Sequence, residues 1–376
     1  SSCMTWPARR VVTSPGPLAS SVNWGQGKSV ALKKLAGDVV DRGGLVVVVD
    51  RTEVGEWVTW ASSVTDVTIA DVVDPVASLD PLRLFPPGLA GRALHSFLTP
   101  LLDITPTSPW GLLLSDVLTP EYLVRHAITS SGALVRHLAT AGSHGSDMGL
   151  GSGAVDLARA LNVYATRDVG RVVFDDSLPP VALGGAALVI RTAGLKLPSK
   201  LELETPHLFR QLPIETLFGR AVYALVAAVA RRVCFTTKTF AAFVVDEAHH
   251  VTASPEGAAE LEIFVRDGRK HAAAALLGSQ DPTDFGSDTL RGLIPTRILM
   301  RQRDEILARR GLRWLDMDPD DEHLVSLVRT DTSPTGPDGV PADRRGEAFM
   351  RDANGRVGRV RILLPASPAR ATATLT

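Results

Sequence analysis

The chain has 376 residues, of which 45% are hydrophobic and 22% are charged, a composition that is typical of a soluble globular protein and that excludes wholesale disorder. Its 40 basic and 41 acidic residues give a net charge of −1, so no overall positive field points to nucleic acid as a partner. Two cysteines cannot build a disulfide framework, which favours a reducing compartment. The longest apolar run, residues 221–230, is too short to span a bilayer and predicts a buried helix.

A glycine-containing loop near the start of the chain ends in the sequence GQGKS at residues 25–29. Glycine allows backbone N–H groups to approach a phosphate, lysine reaches the β- and γ-phosphates, and a serine hydroxyl ligates Mg²⁺. The segment that follows predicts a helix whose positive dipole end would face the phosphates. The predicted ATP-binding residues are Gly25, Gln26, Gly27, Lys28, Ser29 and Val30. Ser29 is also a predicted Mg²⁺ ligand.

One position of this loop departs from the usual phosphate-binding pattern. Val22 stands where the motif G-x-x-x-x-G-K-[ST] has its first glycine. A β-branched residue resists the backbone conformation that glycine adopts there, so the entry to the loop must differ from the usual form. An ordinary glycine-rich turn before a helix is therefore the alternative interpretation of this segment.

The middle of the chain predicts an α/β fold with a mostly parallel sheet. Four short apolar runs, bounded by turn or polar residues, predict buried parallel strands at residues 44–50, 186–192, 241–247 and 272–280. Residues 86–165 instead carry apolar residues at helical spacing, broken by Pro and Gly, and predict an inserted helical subdomain. The α/β core would then comprise residues 1–85 and 166–376, and strands that alternate with helices favour a doubly wound sheet.

Two adjacent acids, Asp246 and Glu247, end the third of these predicted strands. Like charges at the end of a buried strand repel each other and lose hydration unless a cation or a water uses them. In a phosphoryl-transfer site, Asp246 would hold Mg²⁺ through water and Glu247 would be the catalytic base for the attacking water. A solvent-facing acidic pair is the alternative, but a phosphate loop followed later by an acidic strand end favours a nucleotide hydrolase.

Two further polar residues fit this chemistry. Gln280 ends the fourth predicted strand, where its amide would touch the γ-phosphate and the attacking water; a turn residue before Asp-Pro is the alternative. Arg269 shares one face of a predicted helix with Arg266 and Lys270, and it is the candidate for an arginine finger that reaches a neighbouring subunit's γ-phosphate. A solvated basic face is the alternative for this cluster. Rival finger candidates are Arg297, Arg301 and Arg303, in a segment that predicts a strand followed by a charged helix.

The last part of the chain predicts a β-hairpin at residues 347–365, centred on Asn354 and Gly355.

Six segments of the sequence occur in the order found in the conjugative-transfer ATPases of type IV secretion systems, a VirB-type family of the FtsK–HerA superfamily that this chain resembles. The segments are NWGQGKSVALKKLA, GLVVVVDRTEVGEW, VVDPVASLDPLRLF, FVVDEAHH, RDGRK and GSQDPTDF. The resemblance extends over residues 15–300 and implies a RecA-like P-loop NTPase core that hydrolyses Mg-ATP. One departure is Arg51, which follows Asp50 where the family carries proline.

The resemblance also implies an assembly and a place in the cell. It implies a homo-oligomer, a hexamer or dimers, in which Arg269 would act in trans. It implies membrane subunits of a secretion complex as partners, a DNA or protein substrate, and a cytoplasmic position at the inner face of the membrane. The chain would be the C-terminal ATPase portion of a longer protein. Two alternatives stay open, namely a double-stranded DNA translocase or coupling protein, and a nucleotide-binding assembly subunit that does not hydrolyse ATP.

Overall fold

The computed structural model describes residues 18–21, 27–141, 151–336 and 339–375. Within them, nine strands form one sheet: β1 (Leu18–Ser21), β2 (Leu45–Asp50), β3 (Val67–Asp71), β4 (Ala187–Arg191), β5 (Ala241–Val245), β6 (Ala273–Ser279), β7 (Thr296–Leu299), β8 (Glu347–Arg351) and β9 (Val357–Arg361). Their spatial order is β3-β4-β2-β5-β6-β1-β7-β8-β9. Strands β1 to β7 run parallel, whereas β8 and β9 are antiparallel to their neighbours.

The four predicted parallel strands are confirmed as β2, β4, β5 and β6, which lie side by side in the centre of the sheet. Every residue of β2, β5 and β6 is buried, because helices cover both faces of a parallel sheet. The sequence analysis missed β3, an edge strand whose first three residues are at least partly exposed and which therefore has no continuous buried run.

Helices connect these strands and cover the sheet. Those in the described residues are α1 (Lys28–Asp41), α2 (Glu56–Val64), α3 (Pro81–Leu84), α4 (Pro87–Leu102), α5 (Pro109–Val117), α6 (Pro120–Arg125), α7 (Ser131–Thr140), α8 (Gly151–Ala165), α9 (Arg171–Phe174), α10 (Lys200–Glu204), α11 (Pro206–Phe209), α12 (Ile214–Thr236), α13 (His249–Thr252), α14 (Pro255–Asp267), α15 (Asp288–Leu293), α16 (Glu305–Trp314), α17 (Glu322–Ser326) and α18 (Pro368–Leu375). The predicted strand and charged helix around Arg297 and Arg303 are confirmed as β7 and the helix that follows it, α16.

Each face of the sheet has its own hydrophobic core. On one face, α1 and α2 bury Leu32, Trp57 and Trp60 against the strands. On the other face, α12 packs against β2, β5 and α4, and residues 221–230 within it are all buried, which confirms the predicted buried helix. No helix in the described ranges is both long and apolar enough to cross a bilayer.

The helical region at residues 87–165 shares the second of these cores. Ser108 and Thr119 cap α5 and α6 by accepting a hydrogen bond from the backbone N–H three residues on, and each is followed by a proline at the first helical position. Phe97 of α4 meets Phe218 of α12 edge to face, with ring centroids 5.8 Å apart. The region is therefore helical and packs on the sheet layer, and its assignment as a separate insert at residues 86–165 remains our proposal.

The C-terminal hairpin is confirmed as β8 and β9, which extend the sheet beyond β7. In its turn, the Asp352 carboxylate accepts hydrogen bonds from the backbone N–H groups of Asn354 and Arg356, both at 2.9 Å. Gly355 has a φ of 81°, a conformation that glycine adopts without steric cost.

Candidate active site

The carboxyl ends of the central parallel strands meet at one edge of the sheet, where open α/β folds bind their ligands. Because β1, β6 and β5 are neighbours, the segments that follow them lie together at this edge. Val245 of β5 pairs with Leu277 of β6, so the chain passes Glu247 two residues after this pair and Gln280 three residues after it. Lys28, the first residue of α1, lies beside β6 at the same edge, since its Cδ atom would be 3.0 Å from a Cβ atom built at Gly278.

Helix α1 begins without a side-chain cap. Its N-cap residue, Gly27, has a φ of 96°, no side chain of the described residues caps the helix, and its first turn contains no acidic residue. The first N–H groups of a helix have no partner within the helix, so those at the start of α1 remain available to an anion. The positive φ of Gly27 favours glycine at this position, and a Cβ atom there would also press on the flexible end of Met300, 3.0 Å from its Cε atom. Ser29 and Val30 lie in this first turn and are half-buried.

Two of the six predicted ATP-binding residues lie outside the described part of the chain. They are Gly25 and Gln26, and the departure at Val22 also lies outside the described residues. Their assignment therefore remains a prediction from the sequence.

The structure brings Lys28 together with both predicted acids. Its side chain is buried, and its ammonium donates a hydrogen bond to Oε1 of Glu247, a residue 219 positions away. The same Nζ atom lies 3.3 Å from Oδ1 of Asp246. This lysine and the two acids were identified separately in the sequence, and the fold places them in one cluster.

The cluster has unused hydrogen-bonding capacity. Oδ1 of Asp246 and Oε2 of Glu247 are both buried, and neither accepts a hydrogen bond from the described residues. Buried polar atoms are usually satisfied, so these two oxygens point to a ligand. Oδ1 of Asp246 and the Ser29 hydroxyl are hard oxygen donors of the kind that Mg²⁺ prefers. No group of three or more His, Cys, Asp or Glu that could hold a metal occurs in the described part of the chain. A Mg²⁺ ion held largely by phosphate and water needs only one or two protein ligands, so the residues present fit it.

A glycine that the sequence analysis missed makes this arrangement possible. A Cβ atom at Gly278 of β6 would lie 2.7 Å from the carbonyl oxygen of Asp246 and 3.0 Å from Cδ of Lys28. Since both distances are shorter than van der Waals contact, only glycine lets the lysine stem pass over β6 beside β5. Gly278 lies within a continuous apolar strand, so nothing in the sequence indicated that it leaves space for the side chain of Lys28.

Gln280 is half-buried directly after β6. Its backbone carbonyl accepts a hydrogen bond of 3.3 Å from Nε2 of Gln302, a fully buried residue, whose own Oε1 atom accepts none from the described residues. The position of Gln280 at the same edge as Glu247 is compatible with the predicted contact to phosphate and water, and its role remains a proposal.

A second group of residues at this edge includes Glu56 and Trp57, which the sequence singled out only as part of the family resemblance and without a role. Trp57 of α2 donates a hydrogen bond of 3.4 Å from its indole Nε1 to Oδ2 of Asp246. Lys33 of α1 is buried, with its Nζ atom 3.4 Å from Oε2 of Glu56 and 5.7 Å from the centre of the Trp57 ring. Burial lowers the pKa of Lys33 in spite of the carboxylate of Glu56 beside it. The feature of the sequence that could have pointed to this contact with Asp246 is the aromatic residue seven positions after Asp50.

The paired histidines after the acids differ in their surroundings. Nδ1 of His249 lies 3.5 Å from Oε2 of Glu247. Burial is the main reason that the pKa of His250 is lowered to about 2, and the neighbouring His249, Arg51 and Lys28 lower it further. His250 is therefore neutral near pH 7 and packs against the ring of Tyr223.

The finger candidates lie elsewhere. Arg269 is exposed in a 3₁₀ turn, Gly268–His271, that precedes β6, so it lies at the amino edge of the sheet. At about 3.3 Å per residue, the seven residues of β6 separate it from its own site by roughly 20 Å. Arg266 pairs with Glu262 at 2.7 Å on the surface of α14.

The three rival arginines occupy different environments. Arg297 is buried and donates hydrogen bonds to the backbone carbonyls of Ile294 and Trp314, which is a structural role. Arg301 is buried just after β7, and Arg303 is exposed.

Three comparisons with known proteins place this architecture. A family described as an AAA-like domain matches residues 13–368. The structure of VirB4 of Thermoanaerobacter pseudethanolicus matches with a TM-score of 0.66 and 16% identity over 94% of this chain and 91% of that one. An unbound form of the bacterial conjugative coupling protein TrwB matches with a TM-score of 0.54 and 14% identity, over 94% of this chain and 87% of that one.

TrwB in complex with the non-hydrolysable ATP analogue ADPNP matches with a TM-score of 0.53 and 13% identity, over 94% of this chain and 88% of that one. The search of curated proteins found no match. At these identities the structural likeness establishes the fold, which is that of the RecA-like P-loop ATPases, and the predicted fold class is confirmed.

Proposed function

The chain belongs to the AAA-like domain family, and we propose that it is the Mg-ATP-hydrolysing motor domain of a type IV secretion or conjugation machine. One observation carries the proposal: Lys28, at the start of an uncapped helix, forms ion pairs with two adjacent strand-end acids, Asp246 and Glu247. A structural ion pair would satisfy both carboxylates, whereas here each retains one buried oxygen without a hydrogen bond. The solved complexes of TrwB with an ATP analogue and with ADP and Mg²⁺ have the same fold and support nucleotide as the ligand.

Each residue of the cluster has a distinct task in this proposal. The loop Gly25–Val30, including Gln26 and Gly27, binds the phosphates of ATP through backbone N–H groups. On nucleotide binding, Lys28 exchanges its ion pairs for the β- and γ-phosphates. Ser29 and Asp246 hold Mg²⁺, which supplies Lewis-acid stabilisation of the phosphate charge.

The remaining residues act on the attacking water. Glu247 accepts the proton of the water, since its buried Oε2 atom is available to do so. Gln280 contacts the γ-phosphate and thereby distinguishes ATP from ADP. Because Arg269 lies at the opposite edge of the sheet from its own site, it can contribute to hydrolysis only in a neighbouring subunit.

An oligomer follows from this use of Arg269, and we propose a homo-oligomer, a hexamer, docked on membrane subunits of the secretion complex at the cytoplasmic face. Hydrolysis at one boundary would change the packing of neighbouring subunits and move a protein or DNA substrate. A coupling protein that moves double-stranded DNA is the second candidate, and the fold likeness to TrwB supports it. DNA-stimulated hydrolysis that falls steeply with salt would favour this second candidate.

A steady-state ATPase assay with the parent protein, Lys28→Ala and Glu247→Gln tests the proposal. We expect Lys28→Ala to abolish nucleotide binding, because it removes the phosphate-binding cation and leaves two acids that repel the nucleotide. We expect Glu247→Gln to bind ATP but to reduce kcat by about 100-fold or more, as the loss of a general base does. A parent protein that binds ATP without turnover would overturn the enzyme assignment and favour a non-hydrolysing assembly subunit.

A further inference from the structure

The two oxygens of Asp246 have different environments. Oδ2 accepts a hydrogen bond of 3.4 Å from the indole Nε1 of Trp57, which comes from α2 on the side of the acid away from β6. Oδ1 lies 3.3 Å from the Lys28 ammonium and accepts no hydrogen bond from the described residues. The indole therefore engages Oδ2 and leaves Oδ1 without a hydrogen bond from the described residues.

The indole itself is rigidly held. Trp57 is 1% exposed, and its backbone N–H donates a hydrogen bond of 3.1 Å to Oδ2 of Asp50, the last residue of β2. The other oxygen of Asp50 accepts from the backbone and the hydroxyl of Thr52, which fixes the turn that leads into α2. Trp60 packs edge to face on the Trp57 ring with centroids 5.3 Å apart. The indole N–H thus has little freedom to follow Asp246 if that carboxylate rotates.

We propose that Trp57 is a positioning residue that locks the Asp246 carboxylate by holding Oδ2, so that Oδ1 is the oxygen presented to the hydrated Mg²⁺ ion. This inference rests on the proposed function, since it assigns Asp246 to the metal. In this proposal Trp57 acts only through its hydrogen bond to Asp246, by fixing the orientation of the acid. Such outer partners of metal-binding groups contribute about 10- to 100-fold to metal affinity.

The chain provides a matched control for this inference. Trp57 and Trp60 are both 1% exposed on α2 and pack against each other, but only Trp57 donates to Asp246. Replacement by phenylalanine keeps an aromatic ring at either position and removes the indole N–H. Both variants are expected to lose thermal stability, with the larger loss in Trp57→Phe because it also removes the hydrogen bond to Asp246. The Mg²⁺ dependence of nucleotide binding is expected to change only in Trp57→Phe.

The first measurement is the Mg²⁺ dependence of binding of a fluorescent ADP analogue. Trp57→Phe is expected to raise the Mg²⁺ concentration for half-maximal binding about tenfold, while Trp60→Phe leaves it within about twofold of the parent. An equal Mg²⁺ dependence in both variants would overturn the inference, and would leave the proposed function intact because the parent still binds Mg-nucleotide. A parent that binds no nucleotide would instead overturn the proposed function.

The second measurement needs neither nucleotide nor metal. In the ¹⁵N-labelled full chain, the indole N–H resonance of Trp57, identified by its loss in Trp57→Phe, is expected to move upfield in Asp246→Asn, because a hydrogen bond to an ionised oxygen is stronger than one to an amide. The Trp60 resonance is expected to stay in place. A Trp57 resonance that does not respond to Asp246→Asn would show that the contact is absent and would overturn the inference, whatever the result of the binding assay.

Discussion

Two aspartates in this protein, the buried Asp80 and the half-buried Asp246, are held in opposite ways. Asp80, at the start of α3, accepts hydrogen bonds at both oxygens: Oδ1 from Leu82 N at 3.0 Å and Ser131 Oγ at 2.6 Å, and Oδ2 from Ser131 N at 2.7 Å. Asp246, at the end of β5, accepts one hydrogen bond at Oδ2 and none at Oδ1 within the described residues.

The difference separates a structural acid from a functional one. Asp80 joins the start of α3 to the start of α7, 51 residues away, and each of its two oxygens accepts at least one hydrogen bond. Asp246 is placed beside a second acid and a lysine, with capacity left for a ligand. Burial alone therefore does not identify a functional carboxylate; at Asp246 the evidence is a buried oxygen without a hydrogen bond beside a second acid and a lysine.

The largest effect expected from this comparison is on catalysis. Asp246→Asn is expected to reduce kcat by about 1,000-fold, or about 4 kcal/mol, because the neutral amide no longer stabilises the metal that acts on the phosphate. Its melting temperature is expected to equal or exceed that of the parent, since the change removes repulsion with Glu247. Parallel ATPase and calorimetry measurements check both parts. A substantial loss of thermal stability in Asp246→Asn would show that Asp246, like Asp80, has a structural role.

The pH dependence of stability gives the next largest effect. Burial raises the pKa of Asp80 to about 6, against the hydrogen bonds from Ser131 that favour the charged form. A carboxyl group whose pKa is higher in the folded state contributes stability that is complete below its unfolded pKa near 4 and is lost as the pH rises through about 6.

We therefore expect the free energy of unfolding of the parent, relative to Asp80→Asn, to fall by about 2 kcal/mol between pH 4 and pH 7. Urea denaturation at a series of pH values measures this difference and cancels the contributions of all other groups. A difference between the two proteins that is flat or rises over this range would contradict the expectation.

The smallest effect is the direct loss of the structural contacts. Asp80→Ala is expected to cost about 2 kcal/mol at pH 7, because the N–H groups of Ser131 and Leu82 lose their acceptor. Nucleotide affinity is expected to stay unchanged, which fluorescence titration would check. The matched control is Asp116→Ala on the neighbouring α5, whose side chain is exposed and whose loss is expected to change stability by less than about 0.5 kcal/mol. Equal losses in the free energy of unfolding for Asp80→Ala and Asp116→Ala would contradict the structural role of Asp80.

The central strands could be predicted from the sequence because their burial is complete. In β2, β5 and β6 every residue is buried, so the apolar runs are continuous and easily recognised. The edge strand β3 pairs with β4 on one side only, and exposed positions such as Ile69 interrupt its pattern. The strand β3 can be recognised only when its pairing with β4 is known.

The candidate site divides in the same way. Lys28, Asp246 and Glu247 could be predicted because charged groups at the ends of apolar segments need a chemical explanation that neighbouring sequence does not supply. Gly278 and Trp57 could not, since their importance depends on what approaches them: the stem of Lys28 in one case and Asp246 in the other.

The sequence by itself determined which segments form the buried strands and which side chains carry charge into the site, because hydrophobic runs and charged residues are local properties of the chain. Only the tertiary structure decided which oxygen of Asp246 is engaged and which is open. That distinction arises from a contact between residues 189 positions apart, and such a contact exists only once parallel strands have brought their carboxyl ends to one edge of the sheet.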